Sequence, residues 1–173
     1  MKQSVLLLAL LVLFQFATAQ AKDKTSGSDD LRFNAYGLLF GAIGISYGHV
    51  TSDDSSVGIH MNKALDYDAV FNRLFTIAPY YRIYFSSKRA AGFFFETNFT
   101  VYQNKTHERD GSNHRDESDS EIGAGPGIAI GGKFIVSHGF VLDLYGGIGR
   151  ALNDTSDLNK IFASFGVGIG KRF

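Results

Sequence analysis

From residue 31 to the end of the chain, large apolar side chains alternate with Gly, Ser, Thr, Asn, Tyr and a few charges. The clearest run is the last one. Ile161, Ala163, Phe165, Val167 and Ile169 share one face, and Ser164, Gly166, Gly168, Gly170 and Arg172 share the other. Phe93, Phe95, Phe99 and Val101 are set against Glu96, Asn98, Thr100 and Tyr102 in the same way. So are Phe75, Ile77, Tyr81, Ile83 and Phe85 against Thr76, Tyr80, Arg82 and Tyr84. Alternation sustained this long predicts strands, and no stretch shows a convincing helical period. Eight strands follow, over 31–39, 42–50, 55–63, 72–85, 91–103, 120–136, 139–151 and 160–173. Ordinary strands hold about five or six residues. Several here are long enough for the roughly ten tilted residues that cross a hydrocarbon core.

The two faces set the direction. A soluble barrel buries its large apolar face and shows charges outside. Here the polar face is too rich in Gly and too poor in charge for a solvated exterior, and the charges gather in the connections. Apolar outward and polar inward is the arrangement of a membrane barrel. The links at 51–54, 86–90 and 137–138 are short, and those at 64–71, 104–119 and 152–159 are longer and polar. Short turns on one side and long loops on the other fit the same architecture. The fold class is therefore all-β, an eight-stranded antiparallel up-and-down transmembrane β-barrel. Residues 31–50 are the ambiguous part, because Gly37 to Gly41 must turn within an apolar stretch. An even strand count favours two strands there over one bent strand. Pro79 and Pro126 lack a backbone donor inside predicted strands, so a bulge is expected at each.

The start of the chain reads differently. Lys2, the apolar run from Val5 to Phe14 and the small residues Ala17-Thr18-Ala19 form a secretory signal over 1–19. The run is too short for a membrane-spanning helix. Residues 20–30 are polar and read as a flexible N-terminal tail, leaving 31–173 as the barrel.

Composition then narrows the chemistry. Lys plus Arg and Asp plus Glu are 17 each, and this balance argues against a nucleic-acid partner. With no Cys there is no disulfide framework, thiolate metal site or cysteine nucleophile. The charges within strands are few, and hairpin counting pairs them. Folding 72–85 back on 91–103 sets Arg82 opposite Glu96, and folding 120–136 back on 139–151 sets Lys133 opposite Asp143. Opposite charges across strands are favourable. These four residues are read as charge pairs of the barrel interior, structural rather than a gate. The Gly-rich inward faces of the last three strands are expected to make room for Tyr80, Tyr84, Tyr102 and Tyr145. Phe85, Phe93, Phe134, Phe140 and Phe173 would gather at the end holding the short turns, as an aromatic girdle.

Catalytic and metal chemistry find little support. None of His49, His60, His107, His114 and His138 stands in a His-x-Ser arrangement on a strand, and His60 reads as a hydrogen-bonded inward residue. The loop 104–119 carries His107, Glu108, Asp110, His114 and Asp116, at a spacing that fits no standard metal site. No catalytic residue, metal or cofactor is assigned.

PYYRIYF at 79–85, GFFFE at 92–96, GPG at 125–127, GGK at 131–133, DLYGG at 143–147 and the terminal GKRF carry a likeness. The chain resembles small bacterial outer-membrane β-barrels of the OmpA/OmpX-like type over residues 31–173. It looks most like an uncharacterised domain-of-unknown-function family of such barrels. The resemblance implies residence in the cell outer membrane, with lipid and lipopolysaccharide as surroundings. It also implies handling by the outer-membrane assembly machinery through Phe173, although position 171 is Lys where that signal usually has an apolar residue. It implies no agreed activity. The expected role is structural or surface-interacting, as a monomer and without catalysis. The alternatives are a narrow porin-like pore, a lipid-modifying outer-membrane enzyme, and a soluble periplasmic β-barrel binding an apolar ligand.

Overall fold

The computed structural model describes residues 27–35, 37, 41–65, 73–105, 120–152 and 161–173. Within them lie β1 (Asp29–Asn34), β2 (Ala42–Val50), β3 (Ser55–Ala64) and β4 (Arg73–Tyr84). β5 (Gly92–Lys105), β6 (Ser120–Ile135), β7 (Phe140–Arg150) and β8 (Ile161–Arg172) follow, with one 3-10 turn at Ser137–Gly139. Each strand pairs antiparallel with the next, and β1 pairs with β8, so the eight strands close into a barrel. The expected bounds of β2 to β8 are met within two residues.

β1 is the exception. It begins at Asp29 rather than 31, and it stops at Asn34 rather than 39. Two acidic residues next to a polar stretch look like a tail. Asp30 instead points inward with no exposure, and its carboxylate is taken by two cations. The backbone turns helical at Ala35 and Gly37, and Gly41 reaches a φ of 72° before β2 begins. Residues 31–50 are thus two strands, registered with Phe33 opposite Ile45.

The bulges expected at both prolines are not there. Pro126 keeps the β5 register opposite Phe99, and its missing donor falls where the ladder to β7 begins, at Gly127 opposite Gly149. Pro79 keeps the β3 register opposite Ile59. The ladder to β5 skips residues 78 and 79 and resumes unshifted at Tyr80 opposite Asn98. Each proline removes one donor without adding a residue, so the register survives. The shift in β4 lies between Arg73 and Phe75 instead.

Alternation decides the two faces. Phe93 is 73% exposed and Phe94 only 2%. Outward, Phe33, Ile128, Ile130, Phe140, Ile148 and Ile169 are all more than 45% exposed. Inward stand Tyr80, Tyr84, Tyr102, Phe94 and Phe162, together with buried charges. Space for the tyrosines comes from glycines, though not only those of β6 to β8. A Cβ at Gly123 would lie 2.3 Å from the Tyr102 ring, whereas Tyr80 lies over Gly48 and Gly58 of β2 and β3.

Both termini meet at one end. Asp29 N–H donates to Phe173 O at 3.1 Å, and Phe173 N–H returns the bond to Asp29 O at 2.9 Å. The link 85–91 folds in here. Ala90 is fully buried with a φ of 41°, and its N–H donates to Asp53 O at 2.6 Å. Arg172 donates to the carbonyls of Arg89 and Ala90 at 2.9 and 3.0 Å, and so pins that link against the lumen. Phe85, Phe93, Phe140 and Phe173 ring this end, each at least 55% exposed, and Phe134 is half-buried. Most of the expected loops 64–71, 104–119 and 152–159, the signal 1–19 and most of the tail 20–30 lie outside the described residues, while β3 and β5 continue into the first residues of the first two loops, to Ala64 and Lys105.

Gly123 gives a direct check on the packing. Gly123→Val should destabilise the barrel by about 1–3 kcal/mol, as overpacking does. The same change in a Tyr102→Leu background should cost much less, because the three atoms nearest to a Cβ there all belong to the Tyr102 side chain. Urea unfolding followed by far-ultraviolet circular dichroism reads both. Equal losses in the two backgrounds would show that the clash is with backbone and that the ring does not need the glycine.

Candidate functional site

The barrel interior is organised as a layer of charges rather than an apolar core. Arg32, Arg82, Lys133 and Arg172 face Asp30, Glu96 and Asp143, and all seven are at most 3% exposed. The β-strand period places them there, because each occupies an inward position next to outward Leu31, Phe33, Ile83, Phe95, Phe134, Leu142 or Phe173.

Asp30 organises the part nearest the termini. Lys133 Nζ donates to Asp30 Oδ2 at 2.5 Å, while Arg172 donates through Nε to Oδ1 at 2.8 Å and through Nη2 to Oδ2 at 3.2 Å. Farther in, Arg82 is central. Its Nε donates to Glu96 Oε2 at 2.6 Å and its Nη1 to Asp143 Oδ2 at 2.6 Å. Arg32 also donates to Asp143 Oδ2, and to the Tyr80 hydroxyl at 2.5 Å. The Arg82 guanidinium lies 4.0 Å from the centre of the Phe94 ring and 4.6 Å from that of Tyr80. Aromatic faces stabilise a cation that burial has stripped of water.

The expected pairs fare differently. Arg82 and Glu96 are opposite in the β4–β5 register and joined by an ion pair. Lys133 and Asp143 are opposite in the β6–β7 register but do not pair. Asp143 is held by two arginines reaching across the lumen from β1 and β4, and the Lys133 ammonium extends to Asp30 of β1. Hairpin counting finds only neighbours along the sheet. In a closed barrel, long side chains reach partners on strands far away around the wall. Phe173 is placed by its backbone bonds to Asp29, and its ring stands exposed.

His60 points inward and is hydrogen-bonded, as the sequence pattern leads one to expect. Its ring stacks on Tyr80 and Tyr145 with centroids at 4.4 and 5.0 Å. Its Nδ1 shares a 2.7 Å hydrogen bond with Ser46 Oγ, and its Nε2 lies 3.4 Å from Glu96 Oε2. Hydroxyl, imidazole and carboxylate stand in line, as nucleophilic catalysis requires. The same Glu96 oxygen, however, accepts the shorter bond from Arg82, and the other accepts from Asn98 Nδ2 at 3.0 Å. The line therefore reads as satisfied interior packing. Ser46 and His60 are register partners in the β2–β3 hairpin, and counting back from the turn at 51–54 would have paired them.

The other described histidines, His49 and His138, gather no site. His49 Nδ1 lies 3.0 Å from Asp29 Oδ1, which also accepts from the Tyr47 hydroxyl, all on the exposed outer surface. His138 occupies the tight turn at a φ of 64°. His107, Glu108, Asp110, His114 and Asp116 lie outside the described residues. Among the described residues, no three His, Cys, Asp or Glu side chains cluster as a metal site would need.

On the side of the charge layer away from the termini, a cavity of about 120 Å³ opens above His60, Glu96 and Tyr145. Ala42, Ala64 and Ala78 keep its walls thin.

The partner counts yield an ordered prediction. Removing one member of a buried ion pair costs about 3–5 kcal/mol, because the survivor stays buried and unpaired. Asp30→Asn strands both Lys133 and Arg172 and should show that full loss. Lys133→Met leaves Asp30 with Arg172 and balances three cations against three carboxylates, so it should be close to neutral. Urea midpoints compared by circular dichroism decide between these, and equal losses would overturn the assignment of Asp30 as the shared partner. Compared with protein-family models, curated proteins and solved structures, the chain matches none.

Proposed function

We propose that this chain is a small outer-membrane β-barrel with a structural or surface-interaction role and no catalytic activity. One observation carries the reading. The barrel is inverted in polarity, with ion pairs of at most 3% exposure inside and Phe33, Phe93, Ile130 and Ile148 more than half exposed outside. In water such an outer face would be a large unpaired apolar patch. In a bilayer it is the surface that lipid requires, and a closed sheet offers no open edge there.

The exposed Phe ring at the terminal end would mark the inner interface, with the loops of the other end facing outward. The resemblance to OmpA/OmpX-like barrels agrees with this orientation, with Phe173 as the feature read by the assembly machinery. Outer-membrane lipid and lipopolysaccharide are then its surroundings. Closure favours a monomer, since β1 and β8 pair with each other and offer no edge.

The rival readings are each weaker on a particular point. A pore must pass the charge layer and then the 85–91 link that Arg172 pins at the terminal end. A lipid-modifying enzyme needs its nucleophile at the lipid face, whereas Ser46 and His60 turn inward. A soluble barrel for an apolar ligand would reverse the two faces.

Four measurements test the proposal. Folded protein extracted in detergent should migrate faster on gels unless boiled, and it should fractionate with the outer membrane. Recovery in the soluble fraction would sink the reading. Planar bilayers should show no steady conductance, and stepwise openings would favour the pore. Lipid A from cells with and without the protein should be identical by mass, and a changed acyl pattern would favour the enzyme.

A further inference from the structure

Alternation sends neighbouring charges at the terminal end to opposite faces. Asp30 and Arg172 turn into the lumen, while Asp29 and Lys171 stand on the outer wall. Lys171 is set in the apolar face. Leu31 and Phe140 are its register partners on either side, and Ile169 and Phe173 precede and follow it on the same face. These neighbours are 38–62% exposed. Lys171 has no hydrogen bond or ion pair among the described residues. In a bilayer a lysine so placed lays its stem along the apolar surface and carries its charge to the headgroup layer.

Asp29 supplies the opposite sign. Paired backbone bonds set it across the seam from Phe173, so it is the diagonal neighbour of Lys171. Diagonal neighbours in a sheet stand about 7–8 Å apart, within reach of long side chains. The Asp29 carboxylate is fixed from the other side. Its Oδ1 accepts from the Tyr47 hydroxyl and lies 3.0 Å from His49 Nδ1, both on β2. Its Oδ2 has no partner among the described residues, and the side chain is 28% exposed. Arg89, another cation at this end, is engaged with Asp53 at 3.4 Å and with Ser28 Oγ at 3.3 Å. An unpaired ammonium and a carboxylate with one unused oxygen therefore flank Leu31 and Phe173 on the outer wall.

We infer that this patch binds the headgroup of a phospholipid carrying a primary ammonium, a phosphoethanolamine. The inference rests on the membrane reading above. Lys171 takes the phosphate, and Asp29 Oδ2 takes the ammonium that two carbons join to it. The acyl chains lie along Leu31, Phe33 and Ile169, which continue the same face away from the terminal end. Charge and donors decide between headgroups. A choline carries the same charges but offers Asp29 no N–H, and a glycerol offers no cation. This also gives a role to Lys171, which stands where the terminal assembly signal usually has an apolar residue.

The experiment is native mass spectrometry of the full-length mature barrel, released from tetraethylene glycol monooctyl ether micelles. The micelles carry equimolar palmitoyl-oleoyl phosphatidylethanolamine, phosphatidylcholine and phosphatidylglycerol. Phosphatidylethanolamine should be retained over each of the others by about threefold or more, the scale of one partly exposed ion pair. Asp29→Asn should lower its retention to that of phosphatidylcholine. Lys171→Met should lower retention of all three lipids. Lys63→Gln removes an outward cation of β3 at the other end, opposite Phe75, and should leave the preference intact. Gel migration before and after boiling confirms that each variant is folded, and Asp29→Ser replaces Asp29→Asn if that variant fails to fold. The inference is overturned if the folded wild-type barrel retains the three lipids equally or retains phosphatidylglycerol most. It is equally overturned if Asp29→Asn keeps the preference, if Lys171→Met keeps wild-type retention, or if Lys63→Gln removes the preference. A barrel that shifts on boiling and fractionates with the outer membrane, but shows no preference, overturns this inference alone. A soluble chain overturns the membrane reading itself.

Discussion

Closure of β1 on β8 is the constraint on which everything else in this barrel rests. The seam is short, with five register pairs from Asp30–Arg172 to Asn34–Gly168. It is also the point where the sheet and the interior are fastened by the same residues. Asp30 and Arg172 stand opposite each other in the ladder and form an ion pair within the lumen. Arg172 then reaches the 85–91 link, and Asp30 reaches Lys133 on β6. Opening the seam would therefore hydrate Asp30 and release cations on two other parts of the wall. The closed wall and the side chains packed within it bury these charges, and burial makes each ion pair costly to break. The two conditions support each other, which is the behaviour of a cooperative unit.

The interior changes character along the barrel axis. Toward the termini it is filled by charges, aromatic rings and an inturned link. Toward the loop-bearing end it opens into a cavity lined by alanines and uncharged polar groups. The division follows from side-chain length. Arg32, Arg82, Lys133 and Arg172 cross the lumen, whereas Ala42, Ala64, Ala78, Thr76 and Ser164 leave it open. One half of the lumen is thus filled and the other half left open.

Most of the fold was legible in the sequence, and the parts that were not share a physical cause. Long alternation placed β2 to β8, because a strand with two unlike faces must repeat every second residue. β1 was harder, since its inward residues Asp30 and Arg32 are charged and resemble a solvated tail. The prolines misled because a missing donor can be absorbed by a gap in one ladder without a bulge. The Arg82–Glu96 pair was legible because it is local to a hairpin. The Lys133–Asp30 pair, 103 positions apart, was not, since it depends on how far an ammonium can reach across a lumen. Likewise, the cavity is a sum of small residues from several strands, and no single segment announces it.

The choice of charges for the interior has a consequence for how the barrel finds its register. If both faces were apolar, sliding one strand by one residue would exchange them at little cost, and many registers would compete. Here a one-residue slip of β4 would carry Arg82 to the outer face and bring Tyr81 or Ile83 inside; the same slip in β6 would carry out Lys133. The β4 slip leaves Glu96 buried without its cation, and either slip sets a charge among outward apolar residues such as Phe95, Ile128 and Phe134. Side chains that alternate with period two make register an all-or-none choice, and buried charges make the wrong choice expensive. The glycines sharpen it further. Tyr102 fits over Gly123, and Tyr145 over Gly166, only in the native alignment. Polar interiors are often weak contributors to net stability, because desolvation offsets attraction. In this barrel their larger effect is to separate one alignment of eight strands from its neighbours.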